Sequence, residues 1–271
     1  MGNYLTFASG EAFTIGVNNA TKNWNGKLYY STDTVSWTEW DGATAIESAL
    51  HDGEHRVHMR GSGNSTITAG ALSKRWVLTG TAILCNGNME TILDYEMVAN
   101  GEHPVMADGC FRTLFGNCAS LITAPKLPAT VLAKSCYKGM FKKCPLTRPP
   151  ELPATELAES CYELMFFADD VNELLRISEI QTDEYQTPYR IPTHGTATYA
   201  ENCTYRMFGN YDNTDITIDI NTTYYGAWEA EESGGEESGS LSFIKFLVSP
   251  NFPFLPKNLW GWKPAQKRGG S

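Results

Sequence analysis

No run of apolar residues approaches the roughly 20 that a bilayer-spanning helix needs, so no membrane insertion is expected of this 271-residue chain. Basic residues are scarce: 21 lysines and arginines stand against 31 aspartates and glutamates, a net charge of −10. That balance argues against nucleic-acid backbones and anionic membranes as partners. The N-terminus has no basic stretch followed by an apolar one; Met1-Gly-Asn-Tyr-Leu-Thr-Phe enters a strand-like alternation at once, and no export signal is expected. Gly-rich phosphate loops, Gly-x-Ser-x-Gly and His-Glu-x-x-His are all missing. No coiled-coil heptad supports a fibrous trimer. What remains is a chain 42% hydrophobic and 12% aromatic, enough for a packed core. Its length suits one large domain or two ordinary ones.

Seven cysteines, an odd number, follow a repeat. The chain aligns on Cys110, Cys136, Cys161 and Cys203, in steps of 26, 25 and 42 residues. The first two steps fall in the leucine-rich-repeat range, and the third carries an insertion. Apolar residues recur in pairs every four positions. The first copy has Met106, Ala107, Cys110, Phe111, Leu114, Phe115 and Cys118. The second has Leu132, Ala133, Cys136, Tyr137, Met140, Phe141 and Cys144, and the third Leu157, Ala158, Cys161, Tyr162, Met165 and Phe166. The fourth has Tyr199, Ala200, Cys203, Met207 and Phe208. Pairs four apart predict one face of an α-helix, with Lys138 on the outer side and Thr130 and Thr155 as N-caps. β-prone segments follow at Leu121–Thr123, Leu146–Arg148, Leu174–Ile180 and Asp215–Ile220, and Pro125 and Pro149-Pro150 close the first two. A helix and a short strand every 25 or so residues predicts a stacked solenoid.

The pattern Cys-Tyr-x-x-Met-Phe-x-x-Cys, followed by Leu, Ala-Pro, Leu-Pro-Ala-Thr and Leu-Ala, resembles the BspA-type leucine-rich repeats of bacterial surface proteins and bacteriophage proteins. The resemblance covers residues 105–220 and is sharpest over 110–166. It departs after Phe166, where Asp169 and Tyr211 stand in the second cysteine position. It implies a curved solenoid used in adhesion or recognition, and it brings no catalytic residues.

Strand-like runs fill the N-terminal part: Tyr4–Ala8, Phe13–Val17, Lys27–Ser31, Ser36–Trp40, Arg56–Arg60 and Arg75–Thr79, punctuated by Asn-Gly, Asp-Gly and Gly-Ser-Gly. The phrase Tyr30-Ser-Thr-Asp, then Ser36-Trp-Thr-Glu-Trp, is also similar to the β-domain that often precedes such repeats. Thr91–Val98 is a short helix candidate. The expected fold is therefore α+β: an N-terminal antiparallel β-sandwich (1–90), then a helix–strand leucine-rich-repeat solenoid (91–225). An acidic flexible linker (226–240) and a terminal strand with an aromatic cap (241–271) follow.

Candidate chemistry is thin. His51, His55 and His58 lie near Glu54, but His55 and His58 point to opposite faces of a strand, so no metal site is expected. Eight residues of helix, about 12 Å, keep Cys110 from Cys118 and Cys136 from Cys144, while bridges between adjacent rungs stay open. The cysteines read best as small buried apolar side chains. Asp169, Asp170, Glu173, Asp183 and Glu184 cluster in the insertion, and carboxylate pairs there could run glycoside hydrolysis, bind calcium or only solvate a loop. The insertion also holds Tyr185, Tyr189, Arg190 and His194, residue types common at recognition surfaces, which make it the candidate binding site. No catalytic residue, metal or cofactor is expected. The leading expectation is a non-enzymatic bacteriophage virion component, such as a tail or head fibre, decoration or receptor-binding protein. It would engage a protein or glycan on a cell surface, or neighbouring subunits, as a possible homo-oligomer. A secreted bacterial adhesin is the alternative, and a carbohydrate-acting enzyme the second.

Overall fold

The computed structural model describes residues 4–71, 73–168, 191 and 198–209. All belong to one compact unit, Met1–Ala230. The expected acidic linker, terminal strand and aromatic cap lie outside the described residues, as do Leu174–Ile180 and Asp215–Ile220.

Nine strands come first: β1 (Leu5–Ser9), β2 (Thr14–Val17), β3 (Lys27–Ser31), β4 (Thr38–Trp40), β5 (Ile46–Glu47), β6 (Ala49–His51), β7 (Glu54–Ser62), β8 (Trp76–Thr79) and β9 (Ile83–Asn86). A 3-10 turn (Met89–Ile92) and the short helix α1 (Tyr95–Ala99) share the stretch expected to be one helix. The large sheet runs β10-β9-β1-β7-β3-β4, with β6 beside β7, where β10 is Leu121–Thr123; a second sheet runs β5-β2-β8. Strands alternate as a half-buried sheet should. Leu5, Phe7, Leu28, Trp40, Val57 and Met59 point into the core, while Thr6, Arg56, His58 and Arg60 lie on the other side. The hairpin between β6 and β7 turns on Asp52-Gly53, both at positive φ (51° and 84°), the backbone twist a two-residue hairpin prefers. The large sheet is mixed, because β10 comes from the first repeat and pairs parallel with β9.

The repeats are not helices. In an α-helix each N–H bonds to the carbonyl four residues back, leaving none in mid-helix for a neighbour. Here alternate N–H groups do different things. Those of Cys110, Arg112, Leu114, Gly116 and Cys118 close tight turns on the carbonyls three residues back. Those of Phe111, Thr113, Phe115 and Asn117 leave the rung and bond to the carbonyls of Cys136, Lys138, Met140 and Lys142, at 2.8–3.0 Å. The second rung repeats the scheme onto Cys161, Glu163, Met165 and Phe167, and the third onto Cys203, Tyr205, Met207 and Gly209. Every fourth residue takes positive φ: Gly109, Thr113 and Asn117, then Ser135, Gly139 and Lys143, Ser160 and Leu164, and Asn202 and Arg206. The result is a ribbon of turns with a period of four, stacked by backbone hydrogen bonds. An α+β helix–strand solenoid is thereby overturned. Among the described residues α1 is the one α-helix, Thr155 precedes the two-residue strand β11 (Glu156–Leu157) and not a helix, and Thr130 opens none. Leu146–Arg148 is likewise not a strand, although the Thr147 N–H bonds to the Ile122 carbonyl at 3.1 Å.

Most of the residues read as a helical stripe are still buried, since both geometries put neighbours four apart on one side; Ala107, Leu132, Ala133 and Ala158 are half-buried and Ala200 is exposed. Cys110, Phe115, Cys118, Cys136, Met140, Phe141, Cys161, Met165, Phe166, Cys203, Met207 and Phe208 are buried, and Cys144 is half-buried. Rings stack from rung to rung. Phe111, Tyr137 and Tyr162 form one column, with centroids 5.7 and 5.9 Å apart. Phe115, Phe141, Phe166 and Phe208 form another at 5.7, 5.9 and 5.0 Å. At its base Phe115 meets Phe7 of β1 and Trp76 of β8 edge-on, both at 6.0 Å, so strands and repeats share one hydrophobic core. The outer side is not inert. Lys134 pairs with Glu159 (2.7 Å) and Lys138 with Glu163 (2.6 Å), each joining successive rungs.

The β-region starts the ladder. Ile67, Trp76, Ile83 and Met89 donate their N–H groups to the carbonyls of Cys110, Leu114, Ser120 and Lys126, at 3.0, 2.7, 2.7 and 3.0 Å. Contact here is close: a Cβ on Gly109 would stand 2.6 Å from the Gly70 Cα.

Gly139 distinguishes the two geometries by sign. It sits at φ 61°, with Thr113 Cγ2 3.2 Å from where a Cβ would be. Gly139→Ala should cost about 1–2 kcal/mol in urea unfolding, as a left-handed L-residue does, whereas in a helix interior it would gain about 0.5–1 kcal/mol. Met140→Asp should abolish folding by burying an unpaired carboxylate among stacked rings.

Candidate functional site

The outward face of the large sheet gathers side chains from four separate stretches of chain. Register builds the site: Tyr29 of β3 stands opposite both Glu39 of β4 and Arg60 of β7. Leu5 opposite Met59 places Tyr4, one residue earlier, at the level of Arg60. One row of side chains, Glu39, Tyr29, Arg60 and Tyr4, therefore crosses four strands. Cross-strand neighbours of this kind are close enough to touch.

Two further rings lie over that row. Trp37 precedes β4, and its indole carries the Arg60 guanidinium 4.2 Å from the ring centroid. Tyr95 opens α1, 5.7 Å from the same guanidinium, with Tyr29 at 5.9 Å. Tyr4 stacks on Tyr95 (4.9 Å, 25° between planes) and tilts against Trp37 at 4.8 Å. Tyr4, Tyr29, Trp37, Arg60 and Tyr95 are all half-buried. The Tyr4 hydroxyl bonded to Tyr95, with some burial, raises the Tyr95 phenol above its ordinary range.

Both flanking segments are held. The Asp94 side chain caps α1, its Oδ1 accepting from the Met97 N–H (3.2 Å) and its Oδ2 from the Gly63 N–H (2.9 Å) at the end of β7. The loop before Trp37 is folded by Ser31 and Asp33. Ser31 Oγ accepts from the N–H groups of Asp33 (3.2 Å) and Thr34 (2.8 Å). Asp33 Oδ1 accepts from Ser36 and Val35, both at 2.8 Å, and these backbone donors hold its carboxyl down at about 2. Trp37 Nε1–H then donates to the Thr34 carbonyl at 3.3 Å.

Charges on this face are unevenly matched. Lys27 pairs with Glu39 at 3.1 Å and Arg56 with Glu54 at 2.9 Å. Arg60 has rings about it, and no carboxylate among the described residues is bonded to it. A guanidinium over a ring keeps its in-plane N–H edges for a planar acceptor. His58, in the next row, is 2.9 Å from Thr6 Oγ1, and burial, with Arg56 adding to it, lowers its basicity, so it is neutral at pH 7.

The histidines do not share one environment. His51 is exposed beside Asp52, but His55 and His58 are half-buried, and the sheet does turn them to opposite faces. Among the described residues no group of three histidines, cysteines or carboxylates gathers as a metal site. No two cysteines are bridged, and burial pushes their thiols up, that of Cys118 to about 11. The expected binding residues Tyr185, Tyr189, Arg190 and His194 lie outside the described residues, as do the carboxylates Asp169, Asp170, Glu173, Asp183 and Glu184. None of Tyr4, Tyr29, Trp37, Arg60 or Tyr95 stood out in the sequence as a site residue. The signal was there in part: Arg56, His58 and Arg60 alternate with Val57 and Met59, as a two-sided strand would.

No protein-family model, curated protein or solved structure matches the chain.

The Asp33 carboxylate should titrate near 2 when its side-chain carbon is followed by NMR. Its folded value lies below the ordinary 3.8, so its support of the loop is complete above that value and is lost as pH falls toward 2. Asp33→Ala should broaden the Trp37 indole signal while leaving the core resonances in place.

Proposed function

We propose that this chain is a non-enzymatic attachment protein of a virion or cell surface, which presents the outer face of its large sheet to a glycan or protein on its target. The observation that carries this reading is the cluster around Arg60. Five half-exposed aromatic and arginine side chains converge on strands whose opposite face is locked into the core. Tyr, Trp and Arg dominate the energetics of recognition surfaces, and rigid scaffolds hold them at little entropic cost. The repeats contribute stiffness. Their stacked rungs continue the core of the sheets, so the face is carried on packed structure. The resemblance to repeats of bacterial surface and bacteriophage proteins supports the same setting and favours a bacteriophage structural component.

Attachment of the purified chain to its target cells should fall at least about tenfold with Trp37→Ala, in line with the loss of an interface anchor, while its melting temperature stays within a few degrees. Deletion of 181–190, which removes Tyr185, Tyr189 and Arg190, is the comparison. Attachment that survives Trp37→Ala but not the deletion would move the site to the insertion and sink the reading of the sheet face.

A further inference from the structure

The partner of Arg60 can be narrowed by charge and shape. Of the cations on this face, Lys27 and Arg56 already hold carboxylates, at 3.1 and 2.9 Å. Arg60 instead lies on Trp37 at 4.2 Å, with Tyr95 and Tyr29 at 5.7 and 5.9 Å. Rings fix its plane and strip part of its water, and a guanidinium so held binds a planar anion bidentately. The surrounding rings offer apolar walls whose negative faces suit polarised C–H groups. A chain of net charge −10 offers no broad basic field, so recognition of an acidic ligand rests on one well-placed contact.

Resting on the reading of this face as the attachment surface, we propose that Arg60 reads the carboxylate of an acidic sugar, a uronic or sialic acid of a surface glycan, while the neighbouring rings take the sugar's C–H face. A carboxylate carried directly on a six-membered ring presents both features together, at the short spacing the cluster offers. An acidic peptide side chain brings the charge on a flexible stem without the rigid apolar face.

The test measures binding of the full chain to polygalacturonate, to polysialic acid and to carboxyl-reduced polygalacturonate, with saturation-transfer NMR on free galacturonate against galactose. At least one acidic polymer should bind, and the polymer that binds identifies which acid is read. For polygalacturonate, carboxyl reduction should cost tenfold or more; for polysialic acid, the neutral polymer should fail to compete. Arg60→Gln should lose as much, and Arg60→Lys should recover only part, since an ammonium is a point charge. The free-sugar measurement uses the unaltered protein and so does not depend on a variant folding. Equal binding of acidic and neutral sugars, no binding of either acidic polymer, or unchanged binding by Arg60→Gln overturns the assignment. If Trp37→Ala still abolishes cell attachment in that case, the attachment face stands and only the carboxylate falls; if it does not, both fall.

Discussion

The ladder of backbone hydrogen bonds between the turn ribbons of successive rungs is the constraint on which the rest of this structure depends. Alternate N–H groups along the turn ribbon of each repeat leave their own rung and end on carbonyls of the next, from Phe111 onto Cys136, Tyr137 onto Cys161 and Tyr162 onto Cys203. Each such bond contributes only about 1 kcal/mol net, but a buried group left without its partner costs more than that. A rung is therefore incomplete by itself, and so is the first. Its carbonyls need donors from the N-terminal side, which the β-region supplies through Trp76 and Ile83 of its strands and Ile67 and Met89 beside them. The β-region is thus the starter of the stack. The aromatic columns obey the same spacing, because rings fixed to rungs one hydrogen bond apart must lie nearly face to face.

Much of the β-region was legible because alternation and turn residues are local. The runs at Lys27–Ser31 and Arg75–Thr79 correspond to β3 and β8 almost residue for residue. The repeats show where local pattern fails. Apolar pairs every four residues fit a helix, and also fit a turn ribbon of period four. Over several pairs the two diverge, since a helix drifts by about 40° per four residues and the ribbon does not drift. Gly109, Asn117, Gly139 and Asn202, each at the position of positive φ, were the available hint. Thr113 and Leu164 at equivalent positions hid it, because neither residue favours that conformation. The partners that make the ribbon worthwhile lie one repeat away, beyond the reach of any window on the sequence.

The site was harder still to read. Arg60, Tyr29, Tyr4, Trp37 and Tyr95 come from five stretches of chain, and strand register, with the Trp37 loop and α1 laid over it, brings them into one cluster. A shift of one residue in β7 would turn Arg60 inward and Met59 outward. Sequence composition pointed to the insertion with Tyr185 and Tyr189, which lies outside the described residues, since tyrosine-rich stretches without alternation are conspicuous and alternating ones are not.

Where function can reside follows from what packing has already consumed. The inner side of each rung is filled by stacked rings and thiols held protonated by burial. Its edges are consumed by the ladder, and its rim lysines 134 and 138 are paired with glutamates of the following rung. The inner faces of the sheets are closed over Phe7, Trp40 and Trp76. On the outer face of the large sheet the half-buried Arg60 guanidinium lies among three rings, with no carboxylate among the described residues bonded to it; Arg206 lies over a single ring, Tyr205. Cation–π contact of this kind contributes about 0.5–1 kcal/mol at an exposed site, and Trp37, the nearest ring, sits on a loop held by Ser31 and Asp33. That arrangement also leaves the in-plane N–H edges of the guanidinium open to an acceptor from outside the chain, which is the basis of the proposed attachment face.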